Sequence, residues 1–246
     1  MKILVCIAKT PDTTTKISFS DNNTKFNADK VQFIMNPTDE WYALVRGIEL
    51  KEKLGGTVTV INVGHAQDDA IIRKALAIGA DDAVRIDAES TDTYFVAAQI
   101  AEYAKDKNFD LIITGKETID YNGGVMAGML AEFLDLPYVP FASKLEVEGT
   151  EAKIDREIEG GKETVSVQLP LVISANKGLA EARIPNMQGI MKARTKPLIV
   201  IAPTAIEPAT RIRVYNMPPQ EKQVKMISAE NAGDLIRLLH EEAKVI

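Results

Sequence analysis

Apolar residues stand in short blocks through the first half of the chain, and a segment with helical spacing follows each block. Residues 3–8 are continuously apolar and predict a buried strand. Trp41, Leu44, Val45 and Ile48 stand at i, i+3, i+4 and i+7, which predicts a helix over 38–54. Asn36 is placed to cap that helix, Pro37 suits its first turn, and Asp39 and Glu40 lie at the positive end of its dipole. Gly55-Gly56 stops it. The alternation continues with a strand at 57–63 and a helix at 67–78, carrying Ile72, Ala75 and Leu76 on one face and Gly79 as terminator. Then come a strand at 83–86, a helix at 92–107, a strand at 110–114 and a helix at 123–134, with Met126, Met129, Leu130 and Phe133 inward. Near-continuous apolar strands alternating with helices predict an α/β fold, a parallel sheet with helices on both faces. Right-handed crossovers constrain its topology.

The pattern changes after Pro137. Residues 143–148, 151–158, 163–169 and 171–175 form short alternating segments joined by Glu148-Gly149 and Gly160-Gly161, which predict antiparallel strands. Residues 198–201 read as one more short strand. The stretch 202–224 holds Pro203, Pro208, Pro218 and Pro219 and few periodic apolar positions, so it reads as an extended arm. Residues 229–244 close the chain as a helix with Ala232, Leu235, Ile236 and Leu239 on one stripe. The expected division is an α/β domain with its antiparallel extension over 1–201, and a C-terminal arm and helix over 202–246. Such an arm either folds back on its own domain or wraps a partner, and the pattern leaves both open.

Composition narrows the function classes. The chain has 246 residues, 46% hydrophobic and 26% charged, with a formal net charge of -6. No long basic stripe offsets that charge, so nucleic acid is not expected as a main partner. The six apolar residues before Lys9 are too few for a signal-peptide core, and no segment has the apolar length for membrane insertion. The one cysteine, Cys6, excludes a disulfide within the chain and a cluster built on its thiolates alone. That usage fits a reducing cytosol or organelle interior.

Parallel sheets bind ligands beyond the carboxyl ends of their strands, near a topological switch point. The segments to inspect are therefore 7–12, with Ala8 and Lys9, 63–65, with Gly64, and 115–124, with Gly115, Thr118, Asp120, Asn122, Gly123 and Gly124. The last runs from a strand through a polar, glycine-bearing turn into a helix. Free N–H groups at a helix start make an anion site, and glycines let a phosphate approach the backbone. The same glycines would also serve a plain turn. Asn36 is a helix cap that also has an amide able to read an adenine edge. His65 and His240 are the only histidines, and no cysteine or second histidine joins His65 in a metal site. No nucleophile elbow is present, and Cys6 inside a strand reads as a small buried hydrophobe. With no convincing acid, base or nucleophile, binding is expected rather than catalysis.

The run Ile154-Asp155-Arg156-Glu157-Ile158-Glu159-Gly160-Gly161-Lys162-Glu163, with Val165 and Pro170-Leu171-Val172-Ile173-Ser174, resembles the signature of electron-transfer flavoprotein beta subunits. Asn36-Pro37, Ala75-Leu76-Ala77-Ile78-Gly79-Ala80-Asp81, Gly115-Lys116 and Arg183-Ile184-Pro185-Asn186-Met187 fit the same family, so the likeness covers nearly the whole chain. The resemblance implies a heterodimer with a larger alpha subunit that holds most of the redox FAD. It implies an own nucleotide, AMP, or a second FAD in electron-bifurcating members. It also implies a shuttle between flavin dehydrogenases and a quinone-linked acceptor, cytoplasmic in a bacterium or in the mitochondrial matrix of a eukaryote. By the same resemblance Ala8, Lys9, Asn36, Gly64, Gly115, Thr118, Asp120, Asn122 and the backbone of Gly123, Gly124, Val125 and Met126 would line the nucleotide site. Arg156 and Glu157 would face the alpha subunit, and Ile184, Pro185, Asn186 and Met187 would dock the dehydrogenase. Ala8 departs from the family, where lysine is common, and Val125 and Met126 leave only backbone N–H groups for a phosphate. Asp120-Tyr121-Asn122-Gly123 differs from the bifurcating pattern, which favours AMP. A stand-alone adenine-nucleotide module is the alternative without a partner.

Overall fold

The computed structural model describes residues 1–89, 92–218 and 224–246. Pro219, one of the prolines that predicts the arm, lies outside them. The chain opens with β1 (Lys2–Cys6), β2 (Lys9–Pro11), the small hairpin β3 (Phe19–Ser20) and β4 (Lys25–Phe26), and β5 (Phe33–Met35). Helix and strand then alternate: α1 (Asp39–Leu54), β6 (Thr57–Val63), α2 (Asp69–Ile78), β7 (Asp82–Ile86), α3 (Thr93–Ala104), β8 (Leu111–Gly115) and α4 (Met126–Leu134). The second half holds β9 (Tyr138–Glu148), β10 (Glu151–Ile158), β11 (Gly161–Gln168), β12 (Leu171–Ala175), α5 (Met187–Ala193), β13 (Leu198–Ile201) and α6 (Ala232–Leu238).

One nine-stranded sheet organises these elements, in the order β11-β10-β9-β12-β8-β1-β6-β7-β13. From β12 to β13 every pairing is parallel, and β9, β10 and β11 add an antiparallel edge. The two-residue period of the strands sorts the core into two layers. Ile3 and Val5 of β1 pack with α1 and α2, whereas Leu4 and Cys6 pack with α3 and α4. Parallel strands covered on both faces need apolar residues at every position, and β12 is buried along its whole length.

Strand β12 therefore differs from the antiparallel expectation. It lies parallel to β8 and to the first half of β9. Strand β9 changes partner along its length, running parallel to β12 and then antiparallel to β10. Both registers shift around Ala142, next to Phe141, whose φ of 55° is left-handed, so the bulge delivers Arg156 and Glu157 to the end of the sheet. Three helix expectations also shift. Thr38, not Asn36, occupies the N-cap of α1. Helix α4 begins at Met126 and leaves Gly123 and Gly124 in the loop. Phe133 lies at the surface, edge-on to Tyr94, while Leu130 and Ala131 of the same turn face the core.

Candidate functional site

The chain runs from β1 outward to β6 and β7, then returns to the other side of β1 to place β8 and β12. The switch point is thus the gap between the ends of β1 and β8, where an open sheet forms its ligand crevice. The Ala8 N–H, just past β1, donates to Glu40 Oε2 at 2.6 Å. A Cβ on Gly115, at the end of β8, would stand 2.8 Å from Glu40 Cγ and 3.3 Å from its backbone nitrogen. Glu40 therefore binds one strand end and fills the space over the other. Asn36 is fully buried, and its Nδ2 donates to the Glu117 carbonyl at 2.8 Å, tying the approach to α1 to the loop after β8. This bond takes the amide away from the helix it was expected to cap. Its Oδ1 is buried without a partner.

Burial dominates the electrostatics. It raises the Glu40 carboxyl well above the usual carboxylate range, against the Ala8 N–H, and the Asp120 charge adds to the rise. Asp39 and Asp120 are raised by burial too, with Lys116 opposing the first and the Thr118 hydroxyl opposing the second. Lys9 turns its ammonium to Asp68 at 2.8 Å and to Glu89 at 3.5 Å, over the Phe33 ring. Asp68 is itself raised, by burial first and against the pull of Lys9. Gly64, after β6, carries no Cβ because that atom would collide with the Asp68 carboxylate. Lys116 pairs with Glu117 at 3.3 Å, so both lysines at the mouth already have carboxylate partners.

The loop from Lys116 to Val125 completes the mouth. Asn122 takes a left-handed φ of 49°, and its N–H donates to the Thr118 carbonyl at 2.8 Å. Helix α4 has no side-chain cap, since Val125 holds the N-cap position. A Cβ on Gly123 would meet nothing closer than Thr93 Oγ1 at 4.0 Å, and on Gly124 nothing closer than the Lys116 carbonyl at 3.4 Å. Neither residue has a left-handed φ. The fold itself thus does not demand these two glycines; they leave open space in front of the N–H groups that start α4.

A second group lies beyond the bulge. Glu157 accepts from Asn176 Nδ2 at 2.7 Å, and both line a cavity of about 480 Å³ with Thr38, Asp39, Tyr42, Lys116, Glu117 and Lys177. Arg156 pairs across strands with Glu163 at 2.6 Å. Away from this cavity, Ile184 and Met187 stand 83% and 73% exposed. Pro185 and Asn186 lie between them, and Asn186 caps α5 by accepting from the Gly189 N–H. His65 sits at the strand end expected of it, 3.2 Å from Asp87.

The family model of the electron transfer flavoprotein domain matches residues 24–206. The electron transfer flavoprotein subunit beta of Bacillus subtilis is 38% identical over 260 residues, with 100% of each chain covered. The chain belongs to the electron transfer flavoprotein beta-subunit family. The Homo sapiens subunit beta is 32% identical over 253 residues, covering 100% of this chain and 99% of that one. The Syntrophomonas wolfei subunit beta is 35% identical over 222 residues, covering 89% and 86%. In this member of the electron transfer flavoprotein family, Ala8, Lys9, Gly64, Gly115 and the 116–126 loop come together at three neighbouring strand ends. Arg156 and Glu157 form a second group around the bulge, with Glu157 sharing its cavity with Lys116 and Glu117 of that loop, and Ile184 to Met187 form a third, at the start of α5. Sequence reasoning missed Glu40 and Asp68. Glu40 read as a first-turn acid serving the helix dipole, and nothing in the spacing shows that it reaches back to Ala8.

Proposed function

We propose that this chain is the beta subunit of an electron transfer flavoprotein, that it holds AMP at the mouth between β1 and β8, and that it pairs with an FAD-bearing alpha subunit. The observation that carries the nucleotide reading is the uncapped start of α4 behind the open glycines Gly123 and Gly124. Free N–H groups there suit a phosphate, and Gly124 to Met126 would hold it through backbone alone. The unpaired Asn36 Oδ1 suits the amino group of adenine. The run Asp120-Tyr121-Asn122-Gly123 departs from the one that bifurcating members carry, which favours AMP over a second FAD.

The flavin supplies the redox chemistry when bound, and this chain supplies position. Asn176 fixes the Glu157 carboxylate toward the cavity, and Glu163 fixes Arg156 beside it, so that both present set charges to the alpha subunit. Ile184 offers a flavin dehydrogenase an apolar anchor on an exposed loop. The reading includes no catalytic group of the chain's own. Electrons pass on to a quinone-linked acceptor through the heterodimer as a mobile carrier.

The test is to purify the chain with its larger partner, denature the complex and identify the released small molecules by mass. One AMP and one FAD per heterodimer are expected. Two FAD would replace AMP with a second flavin. A chain that carries no adenylate and binds no flavin-bearing subunit would overturn the reading.

A further inference from the structure

Residues 202–218 cross the surface without helix or strand, yet part of this run is tied down. Gln99 of α3 clamps Thr204 from both sides, donating to its carbonyl and accepting from its N–H, each at 2.8 Å. Asp92, the N-cap of α3, accepts from the Ala209 N–H at 3.0 Å and from the Thr210 hydroxyl at 2.5 Å. Tyr215 stacks on Phe19 with ring centroids 4.7 Å apart, and its N–H donates to the Asn23 carbonyl at 2.7 Å. Tyr121 faces it: burial first, and then the neighbouring Tyr215 hydroxyl, raise the Tyr121 hydroxyl above the usual tyrosine range.

These ties have a direction. Phe19 and Asn23 belong to the hairpin that follows β1, whereas Tyr121 belongs to the loop that follows β8. Asp92 adjoins Thr93, the nearest neighbour of Gly123 across the open space. Tyr215 therefore bridges the two segments that flank the mouth, on the side where α4 begins. Beyond it Met217, Val224 and Met226 are 53%, 73% and 86% exposed.

We propose that residues 204–215 form a strap that shuts a nucleotide into the mouth, with Tyr121 and Tyr215 as its clasp. The proposal rests on the nucleotide reading given above. A segment held by a few hydrogen bonds and one ring stack opens locally, without unfolding the sheet beneath it. The strap then sets how fast the nucleotide leaves, while the mouth sets what binds.

The experiment follows exchange of isotopically labelled AMP into the purified heterodimer. The variants are Tyr215→Ala, which removes the clasp, and Thr210→Val, which removes one strap bond but leaves Asp92 on the Phe95 N–H. Each should speed exchange by about tenfold, the scale of one lost hydrogen bond, at an unchanged unfolding midpoint. As a check that needs no variant, amide hydrogen exchange over 204–215 should slow when AMP is added to nucleotide-depleted protein. Equal AMP exchange in parent and variants, or amide exchange indifferent to AMP, overturns the strap and leaves the nucleotide site standing. A parent that holds no adenylate and takes up none overturns the nucleotide reading, and the strap with it.

Discussion

The mouth at the ends of β1 and β8 and the segment from Ile184 to Met191 are built in opposite ways. In the mouth Asn36, Glu40 and Asp68 are at most 5% exposed, and each carries a polar group out of water. Glu40 and Asn36 spend theirs on backbone groups of other segments, and Asp68 on Lys9. At the other site Ile184, Met187 and Met191 are 83%, 73% and 67% exposed, and the polar ties nearby include the Arg183–Glu52 pair, the Trp41 indole N–H on the Arg183 carbonyl and the Asn186 cap. A buried polar group is costly unless bonded, so the mouth keeps one shape set by particular partners. An exposed apolar cluster is relieved only by a surface laid over it, which is how a transient docking site is made. One region stores its specificity in its own bonds, and the other leaves it to be completed by another molecule.

The hardest blow to that contrast is a methyl group in the mouth. Gly115→Ala should destabilise the chain by about 3 kcal/mol, the scale of forced overpacking, because Glu40 cannot yield without releasing Ala8. Denaturant unfolding checks this, and a near-neutral result would mean that the two strand ends are not held by Glu40. Ile184→Ala should leave the unfolding midpoint unmoved but lower electron transfer from a flavin dehydrogenase by about tenfold, the usual cost of truncating an interface anchor. A rate independent of this substitution at every dehydrogenase concentration would remove the docking assignment.

Glu40 sharpens the comparison through pH. Its folded-state pKa is raised, so the folded chain binds a proton where the unfolded chain has lost it. Ionised Glu40 therefore lowers stability above its raised pKa, and the deficit fades as pH falls toward the unfolded value of about 4.3. Glu40→Gln keeps an acceptor for the Ala8 N–H without the charge. It should be more stable than the parent near neutral pH by on the order of 1 kcal/mol, an advantage gone by about pH 4. Unfolding curves at the two pH values decide it. The smallest effect belongs to Arg156→Ala, about 0.5 kcal/mol, because its bond to Glu163 is a half-exposed cross-strand pair. A much larger loss in the isolated chain would show that Arg156 props up the bulge rather than waiting for a partner.

Most of the sheet was legible because its strands state their burial directly. Residues 57–63 and 198–201 are strands to the residue, and α1 runs from Asp39 to Leu54 as its apolar spacing demands. Strand β12 was not, because four apolar residues and a serine beside a hairpin look the same whether they extend the hairpin or enter the middle of a parallel sheet. What separates the two is pairing with β8, more than fifty residues earlier, and local spacing carries no record of that. The α6 stripe had the right period, yet Leu235 and Ile236 are 47% and 63% exposed, because periodicity shows which residues seek cover and not what covers them. That the turns carrying Ala8, Gly64 and Gly115 follow strand ends was readable from the apolar blocks before them. Glu40, which joins those turns, was not, since its partner lies thirty-two residues away.

The Cys6 side chain is 2% exposed in the middle of the sheet, and burial, with the Glu40 charge adding, pushes its thiol far up. An alkylating dye therefore finds neither access nor a thiolate while the fold is closed. Labelling of the parent chain becomes a clock for global opening. A cysteine introduced anywhere on the surface would be the single addressable position for a fluorophore or spin probe, with no native thiol to remove first.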